Sequence, residues 1–230
     1  MTTLFVVGTG RCGTYSMFEA FGRMGYQTSH EAQGQATIPV AWRYATRQMD
    51  ADYAKTILSS LDFVQVEIDH KYTELVPLLM EDERTRFLWI RRNKKDTVRS
   101  MVDRGWYRLN DDSTPPVMWL YWSIGPDGKA YTTANPNPAG HRTKGFEVGS
   151  IPQAQWMRMR QYEKCGWWVD YVHWLLDQWV DDPRFYIVDI ESVTPEQLQK
   201  IAADVFGSEP PLLDEVPHRS REWRRHDFGG

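Results

Sequence analysis

The first apolar run of the chain is short and unbroken. Leu4-Phe5-Val6-Val7 is followed at once by the glycine-rich stretch GTGRCGTYS, residues 8–16. An apolar run without polar alternation is the pattern of a strand buried on both faces. Met17, Phe18, Phe21 and Met24 then recur at helical spacing, which predicts a helix over 16–24. A second strand is predicted over 26–31, ending in His30-Glu31. Residues 32–60 carry a weaker pattern, with a helix expected around 51–61. Residues 63–68 alternate and predict a strand, 73–83 a helix, 86–91 a strand, and 94–105 a helix closed by Gly105. A repeated β–α rhythm implies a parallel sheet with helices on its faces. The expected fold is a three-layer α/β/α domain with a central, mostly parallel sheet.

The rhythm breaks over 105–150, where Pro, Gly and Asn interrupt short aromatic stretches. Long irregular segments in compact domains usually carry function, and the aromatic content points to a cap on the substrate side. Within it, GPDG (125–128) predicts a hairpin turn between VMWLYWSI and KAYTT. Residues 153–180 predict one long Trp-rich helix, ended by Asp181-Asp182-Pro183. A last strand is expected over 184–190. A helix over 194–207 begins at Thr194-Pro195 and ends at Gly207. The tail is basic and contains Arg219 and Arg221. No repeat is visible, so residues 1–230 are expected to form a single domain.

Composition narrows the function. The net charge is −4, which argues against a nucleic-acid partner. Two isolated cysteines, Cys12 and Cys165, define neither a disulfide framework nor a cysteine-based zinc site. Such usage fits a reducing compartment, so a cytoplasmic location is expected. There is no apolar run of about 18 residues, hence no expected membrane span. The N-terminal apolar run is too short for a signal peptide. Eleven Trp and eleven Tyr fit either an aromatic core or an aromatic-lined pocket.

The chemistry concentrates in GTGRCGTYS. A glycine-rich turn at a helix N-terminus aims backbone N–H groups and about half a positive charge at one point. Gly8 and Gly13 have the spacing of a triphosphate-binding loop. The Lys and Ser/Thr that should follow Gly13 are replaced by Thr14 and Tyr15. Arg11 supplies a permanent forked cation inside the loop. Gly10, Arg11, Cys12, Gly13, Thr14, Tyr15 and Ser16 are therefore candidates to hold a phosphate group that needs no metal clamp. A plain tight turn is the alternative. A second basic stretch, RRNKKDTVRS (91–100), follows the predicted strand 86–91. It places Arg92 and Ser100 on the same sheet edge, where open α/β sheets bind ligands.

Together the two stretches resemble the motifs of sulfotransferases that use 3′-phosphoadenosine 5′-phosphosulfate. Arg11-Cys12-Gly13-Thr14-Tyr15 is similar to that family's Lys/Arg-Ser-Gly-Thr-Thr loop. Arg92-Asn93-Lys94-Lys95-Asp96, with Ser100 eight residues after Arg92, is similar to its 3′-phosphate motif. IVDIESVTPEQLQKIAADVFG (187–207) is similar to the family's closing strand and helix. Cys12, Tyr15 and Lys94 depart from the pattern.

The resemblance implies transfer of a sulfuryl group from that cofactor to a hydroxyl, or less readily an amine, of a small-molecule, lipid or saccharide acceptor. The product would be adenosine 3′,5′-bisphosphate, and no metal is implied. Arg11 and the loop amides would hold the 5′-phosphosulfate, Arg92 and Ser100 the 3′-phosphate. Arg219 and Arg221 would fold back on that phosphate. Glu31, then His30, would be the base, with His70 a third candidate. A homodimer is compatible with the pattern. A small-molecule kinase and a catalytically inactive nucleotide-binding module are the competing readings.

Overall fold

A computed structural model describes residues 1–107, 120–124, 130–134 and 148–217, the hairpin strands by backbone alone. The elements run β1 (Thr3–Gly8), α1 (Thr14–Arg23), β2 (Thr28–His30), α2 (Gly34–Ala45), α3 (Ala51–Ser59) and β3 (Val66–Ile68). A 3-10 helix (His70–Leu75) leads into α4 (Val76–Leu79), then β4 (Thr85–Arg91) and α5 (Lys94–Asp103). They continue with β5 (Leu120–Ile124), β6 (Ala130–Ala134), α6 (Gln153–Arg158), α7 (Gln161–Asp177), β7 (Phe185–Asp189) and α8 (Pro195–Phe206).

Five strands form an all-parallel sheet in the order β2-β3-β1-β4-β7. The period of two along each strand divides the core into two layers. Phe5 and Val7 of β1, with Phe87 and Trp89 of β4, pack among residues of α2 to α7. Leu4 and Val6, with Leu88 and Ile90, face the other way, against Met17, Ala20 and Phe21 of α1 and Leu198 and Ala202 of α8. The fully apolar run of β1 follows from this two-sided burial. The protein is thus a three-layer α/β/α structure, as the β–α rhythm predicts. Among the described residues no helix is long and apolar enough to cross a membrane.

Three local features depart from the sequence pattern. Residues 34–45 form a helix despite Pro39 in its interior. A mid-helix proline removes one backbone bond and normally argues for a break; burial of Val40 and Ala41 in the core layer of Phe5 and Val7 overrides it. The helix expected over 73–83 is a 3-10 turn followed by a short helix with Pro77 in its first turn. The single helix expected over 153–180 is two, because Met159 and Arg160 are extended, with ψ of 136° and 161°. The Glu163 carboxylate accepts the Arg160 N–H at 2.6 Å and starts α7 afresh. The predicted hairpin is present as antiparallel β5–β6. Its turn, and most of the 105–150 cap, lie outside the described residues.

Candidate active site

The carboxyl ends of β1, β2, β3 and β4 meet at the loop of residues 9–13. Its backbone is left-handed at Arg11 (φ 60°) and at Gly13 (φ 109°). A Cβ on Gly13 would stand 2.6 Å from Ile190 Cγ1, so both conformation and space require glycine there. A Cβ on Gly10 would stand 2.9 Å from Trp106 Cη2 and 3.2 Å from His70 Cγ, so the bare backbone brings those two rings against the loop.

Three elements fix this loop. The Thr73 hydroxyl accepts the Gly8 N–H at 3.1 Å and donates to the Gly8 carbonyl at 3.0 Å. Trp168 of α7 donates its indole N–H to the Thr9 carbonyl at 2.8 Å, in a buried position. Arg92, just past β4, donates from Nη1 to the Arg11 carbonyl at 3.0 Å. Each satisfies a backbone group that a turn would otherwise leave bare.

The two predicted phosphate stretches come together. Arg11 Nε donates to Ser100 Oγ at 3.2 Å, across 89 residues of sequence. Arg92 lies 3.7 Å from Glu191, and the Glu191 carboxylate also accepts the Asn93 N–H at 3.2 Å. Gly13 caps α1 without a side-chain hydrogen bond, and the first turn of α1 carries no acidic residue. The positive end of the helix is therefore aimed at the loop without an internal counter-charge.

Other predicted residues divide by side chain. Thr14 and Tyr15 are half-buried at the rim. The Thr14 hydroxyl is 3.3 Å from His30 Nε2, and the Tyr15 ring meets the His30 ring edge-on at 5.7 Å. Ser16 is buried. The Cys12 side chain is in the core layer of Leu4 and Val6, where burial pushes its thiol pKa up, so its backbone is the part left to face a ligand. Arg219 and Arg221 lie outside the described residues.

Glu31 turns sharply after β2 (φ 57°) while its N–H still reaches the Ile68 carbonyl at 3.0 Å. Its carboxylate lies 3.5 Å from His70 Nδ1. The same nitrogen lies 3.3 Å from Asp69 Oδ1. The imidazole beside Glu31, aided by the charges of Lys71 and His30, holds its carboxyl well below the usual range despite partial burial. Burial pushes Asp69 up to about 6, opposed by Lys71, whose backbone N–H and ammonium bond the Asp69 carboxylate at 3.0 and 3.3 Å. Donor atoms of Glu31, Asp69 and His70 lie within 4.8 Å of one another, a set that could also take a cation.

The sequence marks Asp69-His70 weakly, by its place just after a strand. It gives no sign of Thr73 and Trp168 as loop supports, or of Glu191 as the partner of Arg92, because their roles depend on long-range packing. Among the described residues, a cleft of about 580 Å³ lined by Phe5, Leu58, Phe63 and Leu79 lies at the opposite, amino-terminal end of β1 and β4. Set against known proteins, the chain matches no family model and no curated protein.

Proposed function

We propose that the chain is a sulfotransferase using 3′-phosphoadenosine 5′-phosphosulfate, with a small-molecule, lipid or saccharide acceptor bearing a hydroxyl. The observation that carries this reading is the Arg11–Ser100 hydrogen bond, which joins the loop motif to the Arg92–Ser100 motif at one sheet edge. The residues fit such a donor. An uncapped helix end and Arg11 suit one phosphate, and Arg92 with Ser100 suits a second.

When bound, the cofactor supplies the sulfuryl group: the acceptor oxygen forms a new S–O bond as the S–O bond to the 5′-phosphate breaks, and adenosine 3′,5′-bisphosphate leaves. Arg11 and the N–H groups of residues 13–15 neutralise charge on that leaving phosphate. Arg92 and Ser100 hold the 3′-phosphate and so fix the register of the nucleotide. Proton acceptance falls to His70, which lies against Gly10 and is flanked by carboxylates. Glu31, with its proton affinity lowered, is the weaker base at rest.

Metal-dependent phosphoryl transfer is the second reading, favoured by the Glu31 and Asp69 carboxylates beside the loop. The Lys71 ammonium already compensates Asp69, which disfavours it. Incubation of the protein with ³⁵S-labelled cofactor and a panel of phenols, alcohols, saccharides and amines tests the proposal. Label transfer without added metal is expected for at least one hydroxyl class. Transfer of label to none, with phosphate transferred from ATP–magnesium, would sink it.

A further inference from the structure

Resting on the sulfotransferase reading, we propose that Glu31 and Asp69 are a pair of positioning residues for His70. Two carboxylates from different strands converge on Nδ1 and fix the ring with Nε2 as the proton acceptor.

The geometry has three parts. His70 is 7% exposed at its side chain and is confined by the Gly10 backbone and by the Trp106 ring, whose centroid is 5.9 Å away. Its Nδ1 faces Asp69 Oδ1 at 3.3 Å and Glu31 Oε1 at 3.5 Å. An ionised carboxylate is acceptor-only, so two of them at one ring nitrogen require a proton there. The neutral imidazole is then the Nδ1–H tautomer and its lone pair sits on Nε2.

The two carboxylates are unlike each other. Asp69 is 1% exposed, comes from the turn after β3, and is held in place by the Lys71 backbone and ammonium. Glu31 is 46% exposed at its side chain and comes from the turn after β2. The ring is thus clamped from two adjacent strands, and its orientation depends on their register at His30–Ile68. Among the described residues, the charged groups beside this cluster include Glu31 and His30 at the end of β2, and Asp69 and Lys71 beside His70. Once His70 takes the acceptor proton, both carboxylates stabilise the imidazolium. The Lys71 ammonium beside Asp69 favours this use over a bound dication.

The test is ¹⁵N NMR of the full-length protein, with the His70 imidazole identified by its loss in His70→Gln. The wild type is expected to show the Nδ1–H tautomer. Glu31→Gln and Asp69→Asn are each expected to raise the Nε2–H population and to lower the imidazole midpoint by about one pH unit. The acidic limb of the sulfuryl-transfer profile should move down by a similar amount, with affinity for adenosine 3′,5′-bisphosphate changed less than about threefold. An unchanged tautomer and midpoint in both variants would overturn the pairing. So would stoichiometric Mn²⁺ binding lost in Glu31→Gln, which would make the cluster a metal site. The tautomer is read without turnover, so failure to transfer sulfate would count against the sulfotransferase reading alone.

Discussion

Arg11 and Ser100 stand 89 residues apart in sequence and are joined by a 3.2 Å hydrogen bond from Nε to Oγ. Ser100 faces the loop because α5 starts at Lys94, directly after Arg92 leaves the sheet edge, with Asn93 as its N-cap. Arg11 faces α5 because its backbone is left-handed, which turns the chain between β1 and α1. The bond pins the cation of one candidate phosphate-binding stretch onto the hydroxyl of the other.

Substitution at the two motifs separates their roles. Arg92→Ala is expected to weaken adenosine 3′,5′-bisphosphate binding by about tenfold to a hundredfold, the scale of a lost charge-assisted contact. Ser100→Ala should cost less. Ser100→Ala should hardly change affinity for adenosine 5′-phosphosulfate, which lacks the 3′-phosphate, and Arg92→Ala, which also removes the donor to the Arg11 carbonyl, should weaken it less than it weakens the bisphosphate. Isothermal calorimetry with both nucleotides checks this; equal losses for both would remove Arg92 from the 3′-phosphate role.

Gly13→Ala should destabilise the fold by about 2 kcal/mol or more. A left-handed alanine costs about 1 kcal/mol, and its Cβ would also strike Ile190 at 2.6 Å. Ile190→Ala destabilises by itself, since Ile190 is a core residue, and the steric part should appear as the coupling between the two substitutions. Urea denaturation of the single and double variants measures both contributions.

Trp168→Phe removes the indole N–H from the Thr9 carbonyl, which is buried. An orphaned buried acceptor costs about 1–3 kcal/mol. The midpoint of chemical denaturation should fall accordingly, and nucleotide affinity with it, because the loop loses one of its three supports. An unchanged midpoint would show that the loop holds its shape without this contact.

Asp69 makes the stability pH-dependent with a defined sign. Its unfolded carboxyl titrates near the ordinary 3.8 and its folded one at about 6, so the folded state binds more protons between those values. Stability therefore falls as pH rises through that window. Glu31 has the opposite shift, and its contribution is lost only as pH falls below the ordinary 4.5. From pH 4 to pH 7, Asp69→Asn should gain on the wild type by on the order of 2 kcal/mol. Denaturation curves at several pH values read this directly; a constant difference would mean that Asp69 is not shifted.

The sequence carries most of the fold because its signals are local. Leu4 to Val7 announces a two-sided strand, and Thr194-Pro195 with Gly207 marks both ends of α8, where Thr194 does accept the Gln197 N–H. Residues 34–45 are hidden by Pro39, whose local penalty is offset by tertiary burial. The break at Met159–Arg160 is hidden because apolar spacing runs through it, while the deciding contact is one carboxylate reaching a backbone N–H. At the site, Arg11, Arg92 and Ser100 are legible from spacing after strands. The partnership of Glu31 with His70 is not, since it depends on β2 lying beside β3.

The most direct test of the central claim is calorimetric titration of the full-length protein with adenosine 3′,5′-bisphosphate in metal-free buffer, set against ATP with magnesium. Tight, metal-independent binding of the bisphosphate is predicted, at least tenfold stronger than ATP–magnesium and lost in Arg11→Ala. Preference for ATP–magnesium, or bisphosphate binding that requires a divalent ion, would contradict it.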